Sequence, residues 1–439
     1  MNQITRFAPS PTGFLHVGNL RTAILNYLEA KRTGGTFILR LDDTDKNRST
    51  ERYSDQIKSD LAWLGFEWDR CEKQSNRIQA YKSAAGKLKE SGCLYECFET
   101  PEELELKRRR QLGMGKPPVY DRSSLGLSSK EKKYLRVERQ SYWRFKLDQT
   151  RIEWEDGILG PVSIDAGSVS DPVLIRGDGQ FLYTLASVVD DIEFNVDSVI
   201  RGSDHVTNTA TQIQILNKLG SLPPSFSHHS LLIGANGDPL SKRMKHLSLL
   251  ELRKMGIEPK AIFVFMSNLG TQKSFNSEIT MEESFKNFKL GNFGATPTKF
   301  DFKNLSLFSQ KFLMRLKLHE IEEDLNNLNI PKNMQSDFWD MARENIVKRS
   351  DLVGLWHLCA HGADPIITPE DRDFISLCRR LMPLPPRDEN SWSLWIKSIK
   401  SETSRSGKRL FLPLRKALTG QENGPDMKKL FPLMQKIRF

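Results

Sequence analysis

The chain has 439 residues, 27% of them charged and 38% hydrophobic, and carries a formal net charge of +10. That length allows two to four domains with real cores, and the composition excludes a disordered, fibrous or disulfide-stapled chain. No apolar run reaches membrane-span length and the first residues lack a charged-then-apolar leader, so a cytoplasmic protein without a membrane partner is expected.

The opening stretch, residues 1–45, reads strand, Gly/Pro turn, helix, strand, acidic turn. Ile4, Arg6 and Ala8 alternate with Thr5 and Phe7, and Pro9-Ser10-Pro11-Thr12-Gly13 ends the run because proline removes ladder donors. His16-Val17-Gly18-Asn19 leads into Leu20, Ile24, Tyr27 and Leu28, the spacing of a helix with one apolar face. Gly34-Gly35 stops it, and 36–41 forms a second strand running into Asp42-Asp43-Thr44-Asp45. A β-α-β unit of this length sets its strands parallel and offers a ligand site at the helix N-terminus. There a phosphate can approach the bare backbone of Gly18, with a side-chain donor from His16. Taken alone, the same His-x-Gly pattern also describes a helix cap or a partly buried side chain.

Further helices are expected over 51–64 and 77–89, then a short strand over 93–98. From Pro101 the pattern changes to a charged helix, alternating strands around 143–147 and 152–156, a strand over 170–176 and a turn at Gly177-Asp178-Gly179. Residues 101–180 therefore read as an inserted α+β module. A helix-like run follows Phe181, and 199–219 reads as a strand turning into a helix. His228 to Ile233 is expected to be one short strand, and a loop then delivers Leu240-Ser241-Lys242-Arg243. From about residue 310 the chain reads as nearly all helix. The positive charge balance tilts mildly toward a polyanionic partner. The five cysteines (Cys71, Cys93, Cys97, Cys359, Cys378) are scattered, and Cys93-x3-Cys97 has no second Cys/His pair nearby. Reduced thiols and no zinc are expected.

His16-Val17-Gly18-Asn19 and Leu240-Ser241-Lys242-Arg243 resemble, in order and separation, the two signatures of class I aminoacyl-tRNA synthetases. The match narrows to the bacterial-type glutamyl-tRNA synthetase family through several further stretches. These are Arg6 to Gly13, Arg40-Leu41-Asp42-Asp43-Thr44-Asp45, Phe98 to Leu104, Ser187-Val188-Val189-Asp190-Asp191, Val199 to His205 and Pro413 to Gly420. The resemblance covers nearly the whole chain. It implies an α/β, Rossmann-like class I catalytic domain with an inserted α+β module, followed by an all-α anticodon-binding region. The implied division is 1–100 and 181–234 for the two catalytic halves, with 101–180 as the acceptor-binding module. Residues 235–310 would form a stem-contact region with the Ser-Lys-Arg loop, and 311–439 the helical anticodon-binding domain.

The resemblance also implies roles. His16, Lys242 and Arg243 match catalytic positions. Arg6, Ala8, Ser10, Asp42, Tyr183 and Arg201 match the glutamate pocket, with Arg6 reading the side-chain carboxylate and Asp42 holding the ammonium. His16, Gly18, Ser241 and Lys242 match the ATP site. Without that context, Arg6 fits a surface ion pair, Tyr183 a core position, and Asp42-Asp43-Thr44-Asp45 a turn or a cation site, though without the EF-hand spacing and glycine. The expected substrates are ATP with Mg2+, L-glutamate and tRNA(Glu), with tRNA(Gln) as a second acceptor. The family's habits add a monomer and tRNA-dependent activation, and Arg349 aligns loosely with an anticodon contact. Three departures stand out. The second signature lacks its usual first lysine at Leu240, Ser187 replaces a common asparagine, and Glu96-Cys97-Phe98 replaces the Cys-x-Cys of zinc-binding relatives.

Three rivals fit less well. A short paralogue that glutamylates a modified tRNA base lacks the second half. Glutaminyl-tRNA synthetases usually carry Asp-Asp-Thr-Asn and a β-barrel C-terminal half. A non-catalytic tRNA-binding module would have no need of His16, Asp42, Lys242 and Arg243.

Overall fold

The computed structural model describes residues 2–238, 240, 247–271 and 280–439. The chain forms two compact units, one of Met1–Arg253 with Ile262–Phe302 and the other of Lys254–Ala261 with Lys303–Phe439.

The first unit runs β1 (Ile4–Phe7), α1 (Val17–Thr33), β2 (Thr36–Leu41), α2 (Glu51–Trp63), β3 (Arg70–Lys73), α3 (Ile78–Glu90), β4 (Leu94–Cys97) and α4 (Pro101–Gly113). It continues through α5 (Ser129–Glu138), β5 (Tyr142–Phe145), β6 (Arg151–Asp156), β7 (Gly160–Asp165), β8 (Val173–Ile175), α6 (Tyr183–Glu193), β9 (Ser198–Gly202) and α7 (Val206–Lys218). β10 (Ser225–His229), β11 (Leu232–Gly234) and β12 (Thr298–Phe300) follow. Among the described residues, seven strands form one sheet in the order β3-β2-β1-β9-β10-β6-β7. All neighbours pair in parallel except the β6–β7 hairpin. The 3-2-1-9-10 portion is a doubly wound arrangement whose strand order reverses between β1 and β9.

Helix α1 follows β1 as the sequence predicts. Leu20, Ile24, Tyr27 and Leu28 are buried, and Gly34 ends the helix in the left-handed conformation (φ 63°) that favours glycine. Gly35 is needed for a different reason. A Cβ there would lie 2.0 Å from the Gln3 carbonyl oxygen, where β2 starts its pairing with β1. Tyr27 packs edge-on to Phe37 and against Phe66, and Phe66 meets Phe263, so α1, β2 and the later helix Pro259–Asn268 share an aromatic seam.

Two sequence expectations are corrected, and one strand has no counterpart in the sequence reading. The hairpin β6–β7 does not belong with a separate module sheet. β6 pairs in parallel with β10 at Asp156 and Phe226, extending the main sheet. The smaller antiparallel sheet holds only β4, β5 and β8. Alternation identifies a hairpin but not the sheet it joins. Second, residues 228–233 are two strands in different sheets, since β11 pairs with β12. That strand, β3, is a polar one at the sheet edge (Arg70-Cys71-Glu72-Lys73), which periodicity does not reveal.

The second unit is helical, including Leu318–Asn327, Lys332–Ala342, Asp351–His361, Arg372–Arg380, Ser391–Glu402 and Lys408–Thr419. Its own core contains Phe338, Trp339, Trp392, Trp395, Leu414 and Phe431. Trp395 stacks on Phe431 at 4.9 Å and donates its indole N–H to the Cys378 carbonyl at 3.0 Å. No helix among the described residues is long and apolar enough to cross a membrane.

Candidate active site

The carboxyl ends of β1, β2 and β9 carry charged side chains that are almost fully buried. Arg6, in β1, donates from Nε and Nη2 to the Asp191 carboxylate at 3.1 and 3.4 Å. Arg40, in β2, donates from Nε and Nη2 to the two oxygens of Asp42 at 2.7 and 3.1 Å, and from Nη1 to Asp191 at 2.8 Å. Asp190 accepts from Arg77 Nε at 2.6 Å, Gln74 Nε2 at 2.9 Å and the Tyr81 hydroxyl at 3.0 Å. Asp190 and Asp191 are successive residues of α6, so they point about 100° apart and serve two sets of partners. Three guanidinium groups thus meet Asp42, Asp190 and Asp191 within one network, and Arg77 also pairs with the more exposed Glu193. Charges this deep persist only when paired and hydrogen-bonded.

Burial works against the Asp191 carboxylate, but Arg6 and Arg40 outweigh it and hold the group below its usual range. Burial alone would likewise depress Arg40, and Asp42, Asp191 and Asp190 overcome it, so its guanidinium stays charged. Asp42 goes the other way. Burial, with Asp190 acting in the same direction, pushes its carboxyl up to about 6 against the pull of Arg40. Arg6 Nη1 makes no hydrogen bond to the described residues.

Arg201, near the end of β9, is also buried. Its Nη1 donates to the Tyr183 hydroxyl at 3.0 Å, its Nη2 to Thr209 Oγ1 at 2.5 Å and its Nε to His228 Nε2 at 3.4 Å. Arg6 and Asp191 both act electrostatically on Arg201, so the two clusters adjoin. The structure thereby brings together Arg6, Asp42, Tyr183 and Arg201. The segment holding Ala8 and Ser10 leaves β1 and is tied to this edge by the Asp42 N–H, which donates to the Pro9 carbonyl at 3.0 Å. Ala8 is half-buried and Ser10 exposed.

His16 is the N-cap of α1. Its Nδ1 accepts from the backbone N–H of Gly18 at 3.1 Å and of Asn19 at 3.4 Å. Burial lowers its pKa, so the ring is neutral with its proton on Nε2. His16 is therefore a helix cap, as one reading of the sequence has it, and the cap does not use its Nε2–H. A Cβ on Gly18 would lie 2.9 Å from His16 Cε1, so a side chain there displaces the capping ring. Ser241, Lys242 and Arg243 lie outside the described residues. Ser187 faces the interior, where its Oγ accepts from Gln212 Nε2 at 2.7 Å and its carbonyl accepts from Arg40 at 3.4 Å.

Arg40, Asp190 and Asp191 have no assigned role in the sequence reading although they stand inside motifs it quotes. The available signal is a pair of acids at the end of the apolar run Leu185 to Val189, facing a strand that carries arginine. Asp156, His228 and Thr209 lack any comparable signal, because they come from three distant elements. Among the described residues, no group of three or more His, Cys, Asp or Glu side chains is arranged to hold a metal ion. Cys97 is buried and its Sγ lies 3.6 Å from the Tyr120 hydroxyl.

The family model of class I tRNA synthetases (E and Q), catalytic domain, matches residues 3–307. The chain belongs to the class I tRNA synthetases of the glutamate and glutamine group. It is 56% identical to a Ruegeria pomeroyi protein named Glutamate–tRNA ligase 1 over 435 residues, 99% of this chain and 98% of that protein. A Cereibacter sphaeroides protein of the same name is 54% identical over 438 residues, 100% of this chain and 99% of that one. Among solved structures, a glutamate tRNA ligase from Elizabethkingia meningosepticum in complex with its amino acid matches with a TM-score of 0.86. Identity is 24%, with 99% of this chain and 97% of that chain covered, and the match shows a shared fold. In this class I synthetase fold, the buried charges lie at the strand-order reversal where ligands of doubly wound sheets bind.

Proposed function

We propose that this chain is a glutamate–tRNA ligase that uses ATP to join L-glutamate to tRNA(Glu) through a glutamyl adenylate. The observation that carries the reading is end-to-end similarity, at 54–56% identity, to proteins of that name. The helical second unit supports glutamate over glutamine members, which usually carry a β-barrel there.

The site chemistry supports specific roles. Arg6, through Nη1, and Arg201 receive the side-chain carboxylate of glutamate, a planar acceptor suited to guanidinium groups. Tyr183 fixes the Arg201 edge. Asp42 holds the substrate ammonium, with Ala8 and Ser10 lining the approach. The glutamate α-carboxylate oxygen attacks the α-phosphorus of ATP, and pyrophosphate leaves. A ribose hydroxyl of the terminal adenosine then attacks the acyl carbon, releasing AMP. His16 Nε2–H donates to the phosphates, which approach the positive end of α1 beside the side-chain-free Gly18. Ser241 completes the ATP site, and the Lys242 and Arg243 cations neutralise charge in the transition state. Mg2+ arrives with the triphosphate, and nothing in the buried network is built as a protein cage for it. The enzyme acts as a cytoplasmic monomer, and tRNA(Gln) is a second candidate acceptor.

The test is charging of radiolabelled glutamate onto purified tRNA(Glu) and, separately, tRNA(Gln), with Lys242→Ala in parallel. Charging of tRNA(Glu) by the parent and loss of adenylate formation by at least about a hundredfold in Lys242→Ala are expected. Charging of neither tRNA with ATP and magnesium present overturns the activity, and near-normal adenylate formation by Lys242→Ala overturns the loop assignment. Charging of tRNA(Gln) as well would mark a non-discriminating enzyme.

A further inference from the structure

Behind Arg201 lies a second buried constellation that touches neither ATP nor the reacting carboxylate in the reading above. His228, in β10, is fully buried. Its Nδ1 lies 2.5 Å from Asp156 Oδ2, at the turn of the β6–β7 hairpin. Its Nε2 faces Arg201 Nε at 3.4 Å and Thr209 Oγ1 at 2.9 Å. Asp156 also accepts from the backbone N–H of His228, Ile158 and Leu159 and from the Trp154 indole. Burial works against this carboxylate, but the His228 and backbone hydrogen bonds pull its pKa down to about 2.

An ionised carboxylate only accepts hydrogen bonds, so the ring proton must sit on Nδ1. That fixes the tautomer and leaves the Nε2 lone pair to accept from Arg201 Nε, while the Thr209 hydroxyl donates to the His205 carbonyl at 3.3 Å. The opposite tautomer would aim an N–H at the Arg201 N–H. We propose that Asp156 and His228 form a positioning dyad: the carboxylate selects the histidine tautomer, and His228 Nε2 then anchors Arg201 so that its Tyr183-bound edge is presented to the amino-acid carboxylate. The logic is that of a buried acid orienting a histidine, applied here to recognition rather than to proton transfer. The hairpin β6–β7 has a role under this proposal, since it delivers Asp156 to the back of the pocket. The proposal rests on the glutamate–tRNA ligase reading and on Arg201 as a pocket residue.

The variants separate positioning from folding. In His228→Gln the amide oxygen reaches the place of Nε2 and keeps an acceptor for Arg201. In His228→Asn the shorter amide retains the Asp156 contact and loses that acceptor. Steady-state charging should show the glutamate KM of His228→Asn raised about tenfold, with kcat and the KM for ATP within about threefold of the parent. His228→Gln should keep a glutamate KM within about threefold of the parent. Asp156→Asn, which frees the tautomer from the other end, should raise the glutamate KM as His228→Asn does. An unchanged glutamate KM in a folded His228→Asn overturns the dyad. A parallel fall in kcat and rise in every KM, with no rescue by glutamine, also overturns it by marking a purely structural histidine. Arg201→Lys serves as the control: an unchanged glutamate KM there removes Arg201 from the pocket and the dyad with it. If the parent charges no tRNA with glutamate, the ligase reading fails first.

Discussion

Asp42 shows how a single residue ties the buried network to a measurable pH dependence. Its carboxyl is pushed up to about 6, chiefly by burial, and in the proposed role only the ionised form holds the substrate ammonium. The raised value means that the fraction able to bind falls as pH drops through 6, whereas an ordinary aspartate would stay ionised to about 4. The glutamate KM is therefore expected to rise about tenfold between pH 7 and pH 5, with the KM for ATP changing much less. Measuring both constants in buffers of matched ionic strength checks this. A glutamate KM that stays flat to pH 5 would remove the ammonium contact from Asp42. At this scale the sequence was only partly legible. Motif resemblance singled out Arg6, Asp42, Tyr183 and Arg201, because each stands in a dense local pattern. The carboxylate that holds Arg6 lies 185 residues away, and pairing at that distance is set by the sheet order.

At the scale of elements, α1 is the piece whose start matters most. His16 caps the helix through Nδ1, which takes up the Gly18 and Asn19 N–H groups and keeps the ring proton on Nε2. In Gly18→Ala the new Cβ would meet His16 Cε1 at 2.9 Å and Nδ1 at 3.0 Å, so the ring must swing away from its cap. Loss of the cap is expected to cost about 1 kcal/mol, too little to unfold the unit. The same variant should raise the KM for ATP about tenfold or more in pyrophosphate exchange, because a donor and a close backbone approach are lost together. Wild-type exchange kinetics in Gly18→Ala would place the phosphates elsewhere. The helix was legible from Leu20, Ile24, Tyr27 and Leu28 because its buried face follows the helical period. The hairpin β6–β7 was legible as strands but not as part of the main sheet. Its alternation of Ile152 and Trp154 with acids is the same whichever sheet it joins, and one bridge, Asp156 to Phe226, decides the matter.

Across the whole molecule, the helical character past residue 310 could be read from apolar spacing and proline punctuation. The membership of the second unit could not. Its compact set includes Lys254–Ala261, contributed by a segment well before the helical region begins. Glu258 in that segment is buried and takes its backbone N–H to Ser309 Oγ at 2.9 Å. Its carboxylate accepts from Arg349 Nε at 2.9 Å and Nη2 at 3.0 Å, while Arg349 Nη1 donates to Asp324 at 2.5 Å. Every nitrogen of Arg349 thus makes an ion pair within its own unit, and the prediction at this scale is that the side chain serves this network rather than the loosely aligned anticodon contact. Replacing Arg349 with glutamine leaves Glu258 buried without its cation, which is expected to cost about 1–3 kcal/mol. Because the unit has its own core, that loss should appear as faster amide hydrogen exchange across Lys303–Phe439. Protection in β1, β2 and β9 should not change. The ratio of charging rates among anticodon variants of tRNA(Glu) should also be the same as for the parent. A changed ratio with unchanged exchange protection would return Arg349 to the anticodon and show that its pairs with Glu258 and Asp324 open when tRNA binds.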